Sequence, residues 1–252
     1  MFKHAITRRP SPEMVDGITT AGLGKPDYPL ALKQHDAYCQ ALTNLGLDVT
    51  VLDPESEFPD SCFVEDTAVV CDHVAVIAPL GAPSRQGEQE TIEPVLAQYK
   101  PVERVVPPST FEGGDVLQVG NTFYIGLSDR TNLAGAEKLG AAVAEHGYDW
   151  KAIACGPSLH FKTDVCFVGS NTLLVSPFFE GATDLASFNH IVVEDDEAYC
   201  RNCLHINGTN IVPTGFPKTL AKVEALGSPT VVLDMSEFKK LDGGLTCLSL
   251  RF

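Results

Sequence analysis

The sequence predicts an α/β fold: a pseudo-symmetric propeller of five ββαβ units, closed by pairing of the N- and C-terminal segments. Three observations predict it. Short apolar strands come in hairpins that begin near residues 68, 116, 163 and 203, and a recurrence of about 45 residues is the mark of a repeat array. Most of these hairpins lead into a helical pattern and then one further strand. The two chain ends supply the pieces of a fifth unit, and joining them hides sheet edges that would otherwise stand open.

The elements follow in order. Residues 4–7 are expected to pair with residues 245–250, ahead of a helix over 30–45 and a strand at 49–52. Strands at 68–71 and 74–77 flank the two-residue turn Asp72-His73, a hairpin signature. Ser84 is expected to cap a helix over 86–99, where Ile92, Val95, Leu96 and Tyr99 keep a helical period; a strand follows at 102–106. Strands at 116–119 and 123–125 flank Gly120-Asn121, with a helix over 132–146 and a short strand near Ile153. The third hairpin, 163–168 with 173–175, has only a poor helical pattern at 183–187. The fourth pairs 203–206 with 211–213, before a helix over 217–226 and a strand at 231–233. No linker or shift in composition divides the chain, so one domain over 1–252 is expected.

Composition narrows the function classes. Hydrophobic residues make up 44% and charged residues 20% of 252, an ordinary globular balance. No apolar run approaches the roughly 18 residues of a membrane span, and residues 1–10 are too polar for a secretion signal. A cytoplasmic chain without a membrane partner is expected. Acidic residues outnumber basic ones 33 to 18, a formal net charge of −15; such a field repels nucleic acid and draws small cations. Eight cysteines are too few for a disulfide scaffold, and reduced, mostly buried thiols are expected.

In a ring of such units, the loops leading into each hairpin converge at one end of the axis. Those loops hold Asp60, Glu65 and Asp66; Glu112 and Asp115; His160; Cys200 and Cys203; and Cys247. Phe58-Pro59-Asp60-Ser61-Cys62-Phe63-Val64-Glu65-Asp66 sets three acids in an apolar loop. Turn chemistry alone accounts for such acids, but carboxylates also match the five-donor fork of a guanidinium. In Glu112-Gly113-Gly114-Asp115 the glycines permit close backbone approach. His160 and Cys247 are each unremarkable alone; opposite one another they make a base and a nucleophile. Arg85 and Arg130, each just ahead of a helical pattern, suit surface ion pairs or a bidentate grip on a ligand carboxylate.

Other signals carry less. Gly22-Leu23-Gly24-Lys25 lacks phosphate-loop spacing and runs into Pro26, and no dinucleotide fingerprint follows a strand. Cys200-Arg201-Asn202-Cys203 with His205 suggests zinc but lacks a second ligand pair.

Taken together, Phe58-Pro59-Asp60-Ser61, Phe63-Val64-Glu65-Asp66, Glu112-Gly113-Gly114-Asp115, Arg130-Thr131-Asn132, Leu159-His160 and Asp242-Gly243-Gly244-Leu245-Thr246-Cys247-Leu248-Ser249 resemble the dimethylarginine dimethylaminohydrolases of the guanidino-group-modifying pentein superfamily, nearly end to end. That resemblance implies a five-unit propeller that hydrolyses Nω-methylated arginines to citrulline through a covalent Cys-thiouronium. It implies Cys247 as nucleophile, His160 as general acid/base, Glu112 and Asp66 on the guanidinium, and Asp60 beside them. Glu65 would take the α-amino group, Arg85 and Arg130 the carboxylate, and backbone near Ile18 and Leu241 would complete the site under a lid at 16–28. It implies a small cationic substrate, no cofactor or metal, and allows a homodimer. The alternative is an arginine deiminase, in which an acid is expected two residues after the histidine; here Lys162 holds that place. A non-catalytic binding ring with a metal at Cys200/Cys203 is the alternative from another class.

Overall fold

The computed structural model describes residues 1–156 and 158–252. In chain order its strands are β1 (His4–Arg8), β2 (Asp48–Leu52), β3 (Ala68–Val70), β4 (Ala75–Ile77), β5 (Val102–Arg104), β6 (Val116–Val119), β7 (Thr122–Leu127), β8 (Asp149–Ala154), β9 (Val165–Phe167), β10 (Thr172–Val175), β11 (Asn189–Val192), β12 (Leu204–Ile206), β13 (Thr209–Pro213), β14 (Thr230–Leu233) and β15 (Leu250–Arg251). The helices are α1 (Tyr28–Asn44), α2 (Gln89–Leu96), α3 (Leu133–Ala144), the single turn α4 (Phe161–Asp164), α5 (Pro217–Glu224) and α6 (Ser236–Lys239). Among the described residues no helix is long and apolar enough to cross a membrane.

The strands form five three-stranded sheets, ordered β15-β1-β2, β3-β4-β5, β6-β7-β8, β9-β10-β11 and β12-β13-β14. Each pairs two strands antiparallel and adds a third parallel to the middle one. The repeat read from the sequence is therefore present, and the termini do pair: Ala5 faces Arg251 and Ile6 faces Leu250. The chain falls into two compact units, Met1–Phe63 with Thr163–Arg251, and Val64–Lys162 with Phe252. The first holds three of the sheets and the second two.

Local chemistry explains the helices. Asp27 caps α1 by accepting the Leu30 N–H at 2.9 Å, and Asn132 caps α3 by accepting the Gly135 N–H at 2.8 Å. In the first unit, Tyr38 and Leu42 of α1 pack with Phe63, Leu204, Ile211, Phe238, Leu245 and Leu248. In the second, Phe111, Phe123, Ile125, Leu139 and Val143 form the core. Burying each such side chain is worth about 1.5–3 kcal/mol.

Three expectations need correction. Ser84 caps nothing: it lies inside a 3-10 turn, Pro83–Arg85, and Gly87 with φ +120° delays α2 to Gln89. The third repeat has 3-10 turns at Pro177–Phe179 and Thr183–Leu185 in place of an α-helix, then β11, which the sequence reading missed. Residues 245–250 are not a strand throughout; Thr246–Leu248 is a 3-10 turn, and only Leu250–Arg251 pairs. Cys247 thus sits on a tight turn.

Candidate active site

In the Val64–Lys162 unit, the 3-10 turn Val64–Thr67 buries Glu65 and Asp66. Burial leaves a carboxylate little choice but to find donors. Asp66 Oδ2 accepts from Arg85 Nη1 at 2.6 Å and Asp66 Oδ1 from the Gly114 N–H at 2.9 Å. His160 Nε2 lies 2.8 Å from Glu112 Oε2 and 3.9 Å from Asp66 Oδ1. The other Glu112 oxygen takes the Gly81 N–H at 2.9 Å and Arg130 Nη1 at 3.3 Å. A Cβ on Gly114 would stand 2.7 Å from His160 Nδ1, and one on Gly113 only 1.9 Å from the Glu65 carbonyl. The glycine pair is what lets these groups meet.

Charge fixes the protonation states. Burial pulls the His160 midpoint down, but Asp66, the Glu112 hydrogen bond and Asp115 outweigh it and lift it from the ordinary 6.5 to about 9. Burial pushes Glu112 up, yet the bond from His160, with the charges of His160, Arg85 and Arg130, brings it down to about 2. Histidine therefore carries its proton at neutral pH beside an ionised glutamate. Asp115 is held above the usual carboxylate range, chiefly by burial.

Asp115, with the hydroxyls of Ser128 and Thr131 and the acid Glu88, which the sequence alone does not single out, holds this cluster. Asp115 accepts from Ser128 and Thr131 hydroxyls at 2.7 and 2.6 Å and from the Phe161 N–H at 2.8 Å, while Thr131 Oγ1 accepts the Glu112 N–H at 3.1 Å. One buried acid so fixes the backbone at both Glu112 and His160. Glu88, also buried, takes Arg85 through Nε and Nη2 at 2.8–3.1 Å. The sequence alone does not single out Glu88 as the partner of Arg85.

Two of the expected site residues already hold partners within the chain. The Arg85 fork, expected on a ligand carboxylate, is buried and engages Asp66 and Glu88; burial disfavours its charge, but those two acids hold its guanidinium protonated well above the ordinary value. Arg130, only half as engaged and more exposed, keeps the capacity for a carboxylate. Glu65, expected to meet an α-amino group, already receives the ammonium of Lys162 at 2.6 Å, both side chains being buried.

In the other unit, Asp60 accepts the Ile18 N–H with both oxygens, at 3.1 and 3.2 Å. Residues after Ile18 lean on Asp242: its Oδ2 accepts from the Thr20 N–H at 2.6 Å and the Thr20 hydroxyl at 3.0 Å. Leu241 is buried beside it. Cys247 is half-buried, and the Gly244 N–H points at its Sγ from 3.3 Å. Tyr38, buried on α1, brackets the turn through the Leu245 carbonyl at 2.9 Å and Ser249 Oγ at 2.6 Å.

These features have counterparts in known proteins. A family model described as N,N dimethylarginine dimethylhydrolase, eukaryotic, matches residues 27–176. An N(G),N(G)-dimethylarginine dimethylaminohydrolase of Pseudomonas aeruginosa is 42% identical over 254 residues, covering 100% of both chains. The chain belongs to the dimethylarginine dimethylaminohydrolase family. A Streptomyces coelicolor enzyme of the same name is 37% identical, over 99% of this chain and 96% of the relative. The P. aeruginosa enzyme has been solved as a cysteine-to-serine mutant complexed with citrulline; that structure matches with TM-score 0.97 at 42% identity, over 100% of each chain. The N-terminal domain of a cyanobacterial arginine dihydrolase, at 19% identity and TM-score 0.90 over 100% and 98%, shares the fold alone.

Within this family member, metal-ligand geometry falls away from Cys200/Cys203. Among the described residues the one group of three ligand side chains close enough for an ion is Asp66, Glu112 and His160. Arg85 and Arg130 already neutralise that group. His205 Nδ1 is instead 2.8 Å from Asn210 Oδ1, and Cys203 Sγ lies 3.1 Å from the Cys200 carbonyl.

Proposed function

We propose that the protein hydrolyses Nω-methylated L-arginines, asymmetric dimethylarginine and monomethylarginine, to L-citrulline and di- or monomethylamine. The observation that carries this reading is the buried Asp66–Glu112–His160 group, where paired carboxylates hold a protonated imidazole. A planar guanidinium is the cation such carboxylates match.

The steps follow from the groups. Asp66 and Glu112 hold the guanidinium, which is positioning and electrostatic work. The Cys247 thiolate forms a C–S bond to the guanidinium carbon. His160 gives its proton to the departing amine nitrogen, the C–N bond breaks, and a thiouronium remains. Neutral His160 then takes a proton from water, whose oxygen adds to the same carbon; the C–S bond breaks as the C=O bond forms and the remaining hydroxyl proton passes to solvent, releasing citrulline and the thiolate. Arg130 takes the substrate carboxylate, and Arg85 serves as the counter-ion that orients Asp66. Asp60, with the backbone at Ile18 and Leu241, flanks the substrate, and Glu65 with Lys162 walls it. Each step uses the chain's own groups, and the enzyme works in the cytoplasm with neither nucleic acid nor membrane as partner.

The test is a citrulline assay on asymmetric dimethylarginine, monomethylarginine and arginine, side by side and in chelator. Preference for the methylated substrates is expected. Preference for arginine would move the chain to the deiminase reaction, against which the Lys162 ammonium stands where that reaction needs an acid.

A further inference from the structure

The segment between Tyr199 and Cys203, for whose cysteines the reaction has no use, lies against the turn that carries Cys247. Asn202 makes a reciprocal pair with Thr246: its Nδ2 donates to Thr246 Oγ1 at 3.0 Å and its Oδ1 accepts the Thr246 N–H at 2.9 Å. The backbone N–H can only donate, which settles the orientation of the amide. A Cβ on Gly244 would come within 2.5 Å of the Asn202 amide carbon and oxygen, so the amide packs directly on that backbone. Tyr199 donates its hydroxyl to the Gly243 carbonyl at 2.8 Å. Asn202 itself is buried on a well-anchored strand entry, its neighbour Arg201 holding the Val193 carbonyl through Nε and Nη2 at 3.0 and 2.7 Å. Two points of the turn that leads into Cys247, Gly244 and Thr246, therefore rest on one side chain. From the first of them the Gly244 N–H is aimed at Cys247 Sγ.

We propose that Asn202 is the positioning residue of the nucleophile, holding the Gly244–Cys247 turn so that the Gly244 N–H stays on Sγ and favours thiolate over thiol. A hydrogen bond to the charged form stabilises that form, and the thiolate is the reactive species. The proposal rests on the reading of Cys247 as nucleophile, and its test separates the two.

Asn202→Ala and Thr246→Val are compared with wild type by alkylation of Cys247 with iodoacetamide across pH, quantified on the Cys247 peptide, and by kcat and KM on asymmetric dimethylarginine. For Asn202→Ala the alkylation midpoint rises by about one pH unit and kcat at neutral pH falls about tenfold, with KM changed far less. Thr246→Val keeps the backbone bond to Asn202, and its shift is smaller and in the same direction. A lower melting temperature with an unmoved midpoint and kcat would overturn the proposal. Should Asn202→Ala fail to fold, Thr246→Val decides alone, an unmoved midpoint again overturning it. A shifted midpoint with undiminished kcat supports the positioning role and refutes Cys247 as nucleophile.

Discussion

Replacing Glu112 with glutamine removes one charge from the His160 pair while keeping the shape and an oxygen that accepts a hydrogen bond. His160 titrates at about 9 in the fold against 6.5 ordinarily. At 1.36 kcal/mol per pH unit, that lift corresponds to at most about 3.4 kcal/mol of stability. Because the folded value is the higher one, this stability is complete below about pH 6.5 and is lost as pH rises through 9. Asp66 and Asp115 share it with Glu112, and the bond that raises His160 also depresses Glu112, so it is counted once. The part removed by Glu112→Gln is therefore about 1.5–3 kcal/mol, the range of a hydrogen bond to a charged group. The His160 midpoint should fall by at least one pH unit, read by NMR of the labelled histidine ring. Urea unfolding between pH 6 and 10 should show wild type losing stability and the variant losing distinctly less, since Asp66 and Asp115 still raise His160. A His160 midpoint still near 9 in the variant would refute the reasoning and leave Asp66 as the group that holds the proton.

Cys247→Ser should abolish citrulline release while leaving the urea midpoint nearly unchanged, since the turn is held by Asn202, Tyr38 and Tyr199 rather than by the sulfur; turnover at the wild-type rate would remove Cys247 from its role. Lys162→Met leaves Glu65 as a buried carboxylate without its ammonium, which costs about 3–5 kcal/mol by urea unfolding. Adding Glu65→Gln should recover a large share of that loss, and strict additivity in the double-mutant cycle would show the two groups to be independent. Gly114→Ala drives a methyl to 2.7 Å from His160 Nδ1, so a stability loss of about 1–3 kcal/mol with a larger proportional fall in kcat is expected; kinetics matching wild type would mean that the ring can yield.

The repeat was legible because hairpin turns and short apolar runs are local signals, and β3 to β8 fall where those signals lie. Legibility failed where a local rule met a stronger one. Ser84 looks like a cap, but Gly87 at positive φ separates it from α2. β11, Asn189–Val192, has polar residues at half its positions and exists through parallel pairing with β10. Residues 245–250 are apolar enough to be read as a strand, yet the turn of Thr246–Leu248 prevails.

The site divides along the same line. Which charges the chain carries is written in the sequence, and Asp66, Glu112, Arg130 and His160 lie within contact of one another in the structure. Which charges neutralise which is decided by contacts between distant residues: Lys162 finds Glu65 across 97 positions and Arg85 finds Asp66 across 19. Arg85 shows the consequence. On a surface its fork would be open to a ligand carboxylate, with Glu88 a weak neighbour. Buried, each guanidinium nitrogen must find an acceptor, so Asp66 and Glu88 take the fork. Asn202 is the same case in neutral form. An asparagine between two cysteines reads as part of a metal motif, and only burial against Thr246 and Gly244 turns its amide into a clamp on the cysteine turn.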